Sequence, residues 1–408
     1  MTYLNCAATS LERPPEVRDA IAEALASCGS YGRGAHATDL AAVRVVEGAR
    51  EAVAGLLGVA DPGRLGFFLN ATDALNCAIC GLVREDDHVV ATDWDHNSVL
   101  RPLSRMARER HATVDFVPAG ADGVLDTGAF ARLLVAPTRL VVVTHASNLT
   151  GQAVDDRTIA DVVALAHAAG ALVLLDASQT AGCLPLDMSA LGVDILCCAG
   201  HKALMGPTGT GVCAVAPGVD LAPWRVGGTG VDSKNPDQPD SWPERLEAGT
   251  PNVCGIAGLG AAATWLLREG AVAQIREHER ALSERFLAVV ADLAAPSAPS
   301  APSSPSDPSD PTGPTGATLT LYGQPSYGQV PDLPVFLLNM RGWDPATLAD
   351  ALARDYDIAC RAGIHCAPRM HRALGTYDTG ALRLSFGAFT AEKDVELAAR
   401  ALHELAVM

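Results

Sequence analysis

Between residues 65 and 216 short runs of apolar and β-branched residues recur: LGFFL, HVVATD, TVDFVPA, RLVVVTH, ALVLLDA, ILCCAG and GVCAVA. Segments with helical periodicity, such as TIADVVALAHAAG, separate them. Near-continuous apolar runs alternating with amphipathic helices predict strands buried on both faces, hence an α/β fold with a mostly parallel seven-stranded sheet covered by crossover helices. After Asn252 the pattern changes to long helical stretches, then to PVFLLNM, ATLADALARDY, ALRLSFG and a closing helix, which predicts a smaller α+β unit. The expected organisation is an N-terminal arm over 1–14, a large domain over 15–252 and a small domain over 253–408, and 408 residues suffice for two cores. Residues 295–316, APSAPSAPSSPSDPSDPTGPTG, hold too little apolar area to offset the entropy of ordering, so they read as a disordered surface insertion.

No apolar run approaches the ~20 residues that a membrane-spanning helix needs, and MTYLNCAATS lacks the basic and apolar regions of a secretory signal. The expectation is a soluble cytoplasmic protein. A net charge of −17 argues against nucleic acid or an anionic membrane as partner, since phosphate attraction needs a basic face. Eleven cysteines without paired CxxC motifs at zinc spacing predict reduced, mostly inert thiols and no metal site.

In parallel α/β sheets ligands bind at the carboxyl ends of the strands. The polar residues closing the predicted strands are Asp95-His96, His145 to Asn148, Asp176 to Gln179 and His201-Lys202. Asp176 and Lys202 thus arrive at adjacent strand ends. Pyridoxal 5′-phosphate (PLP) chemistry needs this pair: a lysine that forms a Schiff base, and a carboxylate that keeps the ring nitrogen protonated so that the ring accepts electrons from the substrate Cα. An isolated Asp at a strand end more often caps a helix, and an isolated Lys is usually solvated. A nucleotide-binding reading fails because no GxxxxGK[ST] string occurs and GPTGTG follows the lysine rather than preceding it.

The string D-x-S-Q at 176–179 followed by H-K-x-L-M-G-P-x-G-x-G at 201–211 resembles the class V aminotransferase family of fold-type I PLP enzymes, and among them the group II cysteine desulfurases and selenocysteine lyases. YLNCAATS, LNATDALN, DHNSVLRP, SNLTG, GGTG, LEAGTPN, RAGIHCAP and RLSFGAFT occur in the family's order, so the resemblance spans the chain outside the Pro/Ser insertion. It implies that His96 stacks on the pyridine ring, Asn148 and Gln179 hydrogen-bond around its hydroxyl, Asp176 meets its nitrogen and Lys202 carries it. It assigns the phosphate to Ala71 and Thr72 at a helix N-terminus, a position where N–H groups and the dipole favour anions, and to His201. Thr250 would reach the phosphate of the partner subunit in a homodimer.

Arg383 would hold the substrate α-carboxylate, alongside Asn148, through its planar fork. Cys366 lies in R-x-G-x-H-C-A, with Arg361 and His365 near in sequence, groups that favour a thiolate if they are also near in space. The resemblance makes Cys366 the acceptor of sulfur from L-cysteine: Lys202 moves the Cα proton, alanine leaves, and a persulfide stays on Cys366 for a sulfur-acceptor protein, with iron–sulfur cluster assembly among the pathways so served. The alternatives are a selenocysteine lyase acting on L-selenocysteine, a class V aminotransferase or epimerase, and a non-catalytic PLP-fold scaffold. Three positions depart from the commoner family pattern: Asn5 and Cys6 in the opening motif, and Ala199 where a hydroxyl near the phosphate is usual.

Overall fold

The computed structural model describes residues 1–32, 34–134, 137–296, 318–323 and 330–407. The chain opens with strand β1 (Thr2–Tyr3) and helices α1 (Pro15–Ser27) and α2 (Ala37–Leu57). Every apolar run expected as a strand then forms one: β2 (Leu65–Phe68), β3 (His88–Thr92), β4 (Thr113–Val117), β5 (Leu140–Thr144), β6 (Leu172–Asp176), β7 (Ile195–Ala199) and β8 (Gly211–Val215). They make one seven-stranded sheet in the order β2-β8-β7-β6-β5-β3-β4. Only β8 runs antiparallel to its neighbours.

Both faces of the sheet are covered, as the continuous apolar runs require. In β5, Val141 and Val143 enter one core while Leu140 and Val142 enter the other, the two-residue alternation of a pleated strand. Crossover helices α3 (Ala71–Leu82), α4 (Asn97–Glu109), α5 (Ala129–Leu133), α6 (Asp156–Ala168) and α7 (Met188–Leu191) supply the cover. In α6 the Asp155 side chain caps the helix by accepting from Thr158 N at 2.9 Å, and Ile159, Val162, Val163 and Ala166 form its buried stripe.

The remaining elements are α8 (Val253–Leu266), α9 (Ala271–Val289), β9 (Ala294–Pro296), β10 (Leu319–Tyr322), β11 (Val335–Met340), α10 (Pro345–Tyr356), β12 (Ile358–Ala359), β13 (Arg361–Gly363), α11 (Pro368–Ala373), β14 (Ala381–Ser385) and α12 (Glu392–Ala406). A smaller sheet, β13-β14-β11-β10-β9, carries a separate core in which Phe286 and Phe386 both pack on Phe336, with ring centroids 4.7 and 5.5 Å away.

Helix α8 lies just beyond the division expected at residue 252. Helix α8 packs against α1 and α2 and sends Ile256, Leu259, Ala262, Ala263 and Leu266 into the large-sheet core. In α9 Ile275 faces the large core and Leu282, Phe286 and Leu287 the small one, while Val335, Leu337 and Met370 further on pack again with the large core. The arm is also not independent: β1 pairs with β12, and Leu4 is buried in the small core. Of the Pro/Ser-rich insertion, Ala295 and Pro296 close β9 and residues 297–316 lie outside the described residues. Among the described residues no helix is long and apolar enough to cross a membrane.

A buried ion network fixes α2 to the first sheet edge. Arg50, 1% exposed, donates to Glu247 Oε1 at 2.8 Å and Oε2 at 3.1 Å and to the Leu65 carbonyl. Glu247 in turn accepts from Phe67 N at 2.7 Å. Burial by itself would lower the guanidinium's pKa, but Glu247 and Glu47 more than offset it and raise the value. Removing one partner of such a pair strands the other charge, so Arg50→Met is expected to lower the unfolding free energy by about 3–5 kcal/mol in urea titration, with Arg50→Met/Glu247→Gln regaining part of it. A loss under ~1 kcal/mol for the single variant would show that the network does not hold α2.

Candidate active site

At the carboxyl ends of β5, β6 and β7 a cavity of about 210 Å³ opens between the large sheet and the small domain. Asp176 ends β6 and is 4% exposed. Lys202 follows β7 on the turn Gly200-His201-Lys202, which is tight enough to demand glycine at its start: a Cβ on Gly200 would lie 2.1 Å from Thr210 Oγ1. The arm straps this turn, with Ser10 N donating to the His201 carbonyl at 2.9 Å and Ser10 Oγ to the Lys202 carbonyl at 2.8 Å.

The N-terminus of α3 forms another wall. Asn70 caps it by accepting from Asp73 N at 3.0 Å, and Asn70, Ala71 and Thr72 face the cavity. The first N–H groups of a helix have no partner within it, so this wall offers donors and a positive dipole end. Gly211 at the start of β8 lets the cap sit directly on the sheet, since a Cβ there would come within 2.3 Å of the Asn70 carbonyl carbon.

Charge around the cavity is unbalanced. Lys202, Arg361 and Arg383 line it, and Asp176 is its single lining carboxylate among the described residues. Burial lowers Lys202 to about 8, with Asp176 opposing the shift and Arg383 and Arg361 reinforcing it. Burial lifts Asp176 above the usual carboxylate range, while Ser178, whose N–H donates at 3.0 Å, and Lys202 pull it back. Burial and the neighbouring cations also depress the histidines, His96 to about 3, His201 to about 4 and His365 to about 2, so all three stand as neutral rings at pH 7. Asp95 lies behind the wall, fully buried; Thr144 Oγ1 donates to it at 2.5 Å and Thr92 N at 2.7 Å, and burial carries it up to about 7.

Arg383 on β14 is 1% exposed. It donates to the Asn148 carbonyl at 2.9 Å and to Asn5 Oδ1 at 3.2 Å, while its Nε has no partner among the described residues. Neither contact is a carboxylate, and burial with Arg361 nearby lowers this guanidinium to about 9. A buried arginine held only by neutral oxygens keeps a full positive charge for an incoming anion.

Cys366 sits on the loop after β13, with left-handed backbone at both His365 (φ 50°) and Cys366 (φ 60°). Such backbone is strained for residues with a Cβ and persists where the surroundings fix it. Here the large domain does so: Asn97 N donates to the Cys366 carbonyl at 2.7 Å and Asn148 Nδ2 to the His365 carbonyl at 3.0 Å. Arg361 Nη2 lies 4.0 Å from the partly exposed Cys366 Sγ.

Ala71, Thr72, His96, Asn148, Asp176, Gln179, His201, Lys202 and Arg383 all line this one cavity. Cys366 does not line it, though its Sγ lies 4.0 Å from Arg361, which does. Thr250 is exposed and also outside the cavity of its own chain. Ala199 does line the wall, without a hydroxyl. Sequence reasoning missed Asn70 as the cap of the α3 wall, a role signalled by Asn followed three residues later by Asp. It also missed Asn5 as the partner of Arg383, for which no local signal exists. Among the described residues no cluster of His, Cys, Asp or Glu is placed to hold a metal ion.

These residues fit PLP. Lys202 and Asp176 line the same cavity and act on each other electrostatically without forming an ion pair among the described residues, so each is free to meet a cofactor. The α3 terminus presents anion-binding donors, and His96 offers a neutral ring, its Nδ1 occupied by Ser98 N at 3.1 Å.

Comparison with known proteins agrees with that chemistry. A protein of Methanothermobacter thermautotrophicus described as a probable cysteine desulfurase is 31% identical over 100% of this chain and 95% of its own. A cysteine desulfurase of Escherichia coli O127:H6 is 30% identical over 93% of this chain and 90% of its own. Among solved structures, the apo cysteine desulfurase of Thermococcus onnurineus superposes with a TM-score of 0.85 at 28% identity, covering 99% of this chain and 94% of its own. Escherichia coli CsdA, a cysteine desulfurase in an S-sulfonic acid form, gives 0.82 at 27%, covering 100% and 95%. The fold is therefore that of the fold-type I PLP enzymes. The profile of the family described as aminotransferase class-V matches residues 2–303 and 320–397, lapsing over much of the Pro/Ser insertion. The chain belongs to the aminotransferase class-V family, whose members are PLP-dependent enzymes.

Proposed function

We propose that this protein is a PLP-dependent cysteine desulfurase that converts L-cysteine to L-alanine and takes the sulfur onto Cys366 as a persulfide. The observation that carries the reading is the meeting of Lys202, Asp176 and a carboxylate-free Arg383 at one cavity, with Cys366 Sγ 4.0 Å from Arg361 on its wall. Bound PLP supplies an electron-accepting ring that can take up the negative charge left at the substrate Cα.

The chain's own groups divide the remaining work. Arg383, aimed by Asn148 and Asn5, binds the substrate carboxylate, and the lack of a protein carboxylate beside it leaves that position to the substrate. Asp176 is ionised when a ring N–H⁺ faces it, because an opposite charge offsets the burial that otherwise raises its pKa. The cavity lowers Lys202 to about 8, so that a minor but ready fraction of its amine is neutral near pH 7 and accepts the Cα proton. His96 and Gln179 position the ring, and the α3 terminus with His201 holds the phosphate. Cys366 Sγ then attacks the substrate sulfur: an S–S bond forms, the Cβ–S bond breaks, and the carbon fragment regains protons to leave as alanine.

An acceptor thiol or protein must take the persulfide sulfur onward. Thr250, exposed and away from its own cavity, serves the partner subunit of a homodimer in this reading. The protein works in the cytoplasm.

With L-cysteine, PLP and a reductant, wild type is expected to release sulfide and alanine in equal amounts. Cys366→Ala should keep the cofactor's visible band while both products fall at least ~100-fold; undiminished release, or keto acid in place of alanine, would remove the desulfurase reading. Arg383→Lys keeps the charge but loses the planar fork, so kcat/KM for L-cysteine should drop roughly 10- to 100-fold, mainly through KM, in steady-state assays. An unchanged KM would take the substrate carboxylate away from Arg383.

A further inference from the structure

A second cavity, of about 110 Å³, shares Ala7, Gln179 and Lys202 with the first and runs between the N-terminal arm, α9 and the turn after β14. Gln179 forms part of the partition, its Nε2 donating to the Ala7 carbonyl at 3.1 Å. None of the reaction steps above uses the residues beyond that partition.

Glu279 of α9 faces this cavity and is 8% exposed. Its backbone carbonyl accepts from Ser283 Oγ at 2.9 Å, but among the described residues its carboxyl oxygens meet neither a donor nor a cation. Burial alone pushes this carboxyl up to about 8. Among the described residues no side chain pairs with this acid, whose carboxyl faces the cavity.

The other walls define what can pair with it. Met205, Ile275, Val335 and Phe386 supply apolar surface. Burial pushes the Cys6 thiol up to about 12 and raises Cys183 as well, so both are neutral. Asp394 is engaged in accepting from Thr2 Oγ1 at 3.2 Å and from Ala391 N at 3.1 Å. Glu12 lines the cavity from an exposed position and adds negative potential at the approach.

We propose that this cavity is a second binding site, adjoining the catalytic one, for a small organic ammonium ion whose N–H donates to Glu279 and whose apolar body rests on Ile275, Val335 and Phe386. A cation beside Glu279 restores the carboxylate and provides its missing hydrogen bond. The inference does not rest on the desulfurase reading, and its test measures binding rather than turnover.

The test is calorimetric titration of the PLP-loaded protein with trimethylammonium chloride, a tertiary ammonium that cannot condense with the cofactor aldehyde, and with tert-butanol as its neutral match in shape. Wild type should bind trimethylammonium saturably at one site per chain, tert-butanol should give no saturable heat, and Glu279→Gln should weaken the cation by roughly tenfold or more. Absence of saturable binding to wild type, equal binding of tert-butanol, or undiminished binding by Glu279→Gln overturns the proposal. Should Glu279→Gln fail to fold, wild-type crystals soaked in trimethylammonium decide: density against the Glu279 carboxyl upholds the site, and its absence overturns it.

Discussion

Three buried or half-buried cations converge on one carboxylate at the carboxyl ends of the large sheet, and most of the site's properties follow from that imbalance. The excess positive charge, added to burial, keeps His96, His201 and His365 neutral and brings Lys202 into the range where it exchanges a proton near neutrality. It makes the cavity attractive to anions at two places, the α3 terminus and Arg383, which is the charge pattern of a phosphate at one end and an amino acid carboxylate at the other. Asp176 stands between, so that a cationic ring nitrogen is the one positive group the cavity favours.

The imbalance persists because the fold fixes it in place. Parallel pairing of β5, β6 and β7 sets Asp176 level with Thr144 and Cys197, so the strand ends cannot drift apart without breaking the ladder. The Cys366 loop keeps its left-handed backbone because Asn97 and Asn148 on the large domain hold two of its carbonyls. Positioning Cys366 is thus a property of the contact between domains rather than of the loop alone.

What could be read from the sequence was local. Strand runs, Asp176, Lys202 and the cysteine loop announce themselves through periodicity and short motifs, and the structure gathers those residues at one cavity. The packing of α8 was not legible because that helix is apolar on nearly every side and carries glycines that let α2 approach, with a Cβ on Gly260 falling 2.5 Å from the Ala49 Cβ; periodicity cannot say which core such a helix joins. Asn5 looked like a motif departure until its oxygen was found on Arg383, far along the chain. Arg50 and Glu279 were invisible for the same reason: a charge inside a helical pattern reads as solvated until the third dimension buries it.

The N-terminal arm touches the small domain where the last fifth of the chain is laid down. Thr2 pairs with Ile358, the Leu4 carbonyl accepts from Ser385 N at 2.9 Å, and Asn5 steadies Arg383. Asn5 and Arg383 stand 378 positions apart in sequence, so their contact requires closure of a long loop. The large sheet can pair before that closure, yet Arg383 lacks its Asn5 contact until it happens, so completion of the cavity depends on a late, non-local step of folding.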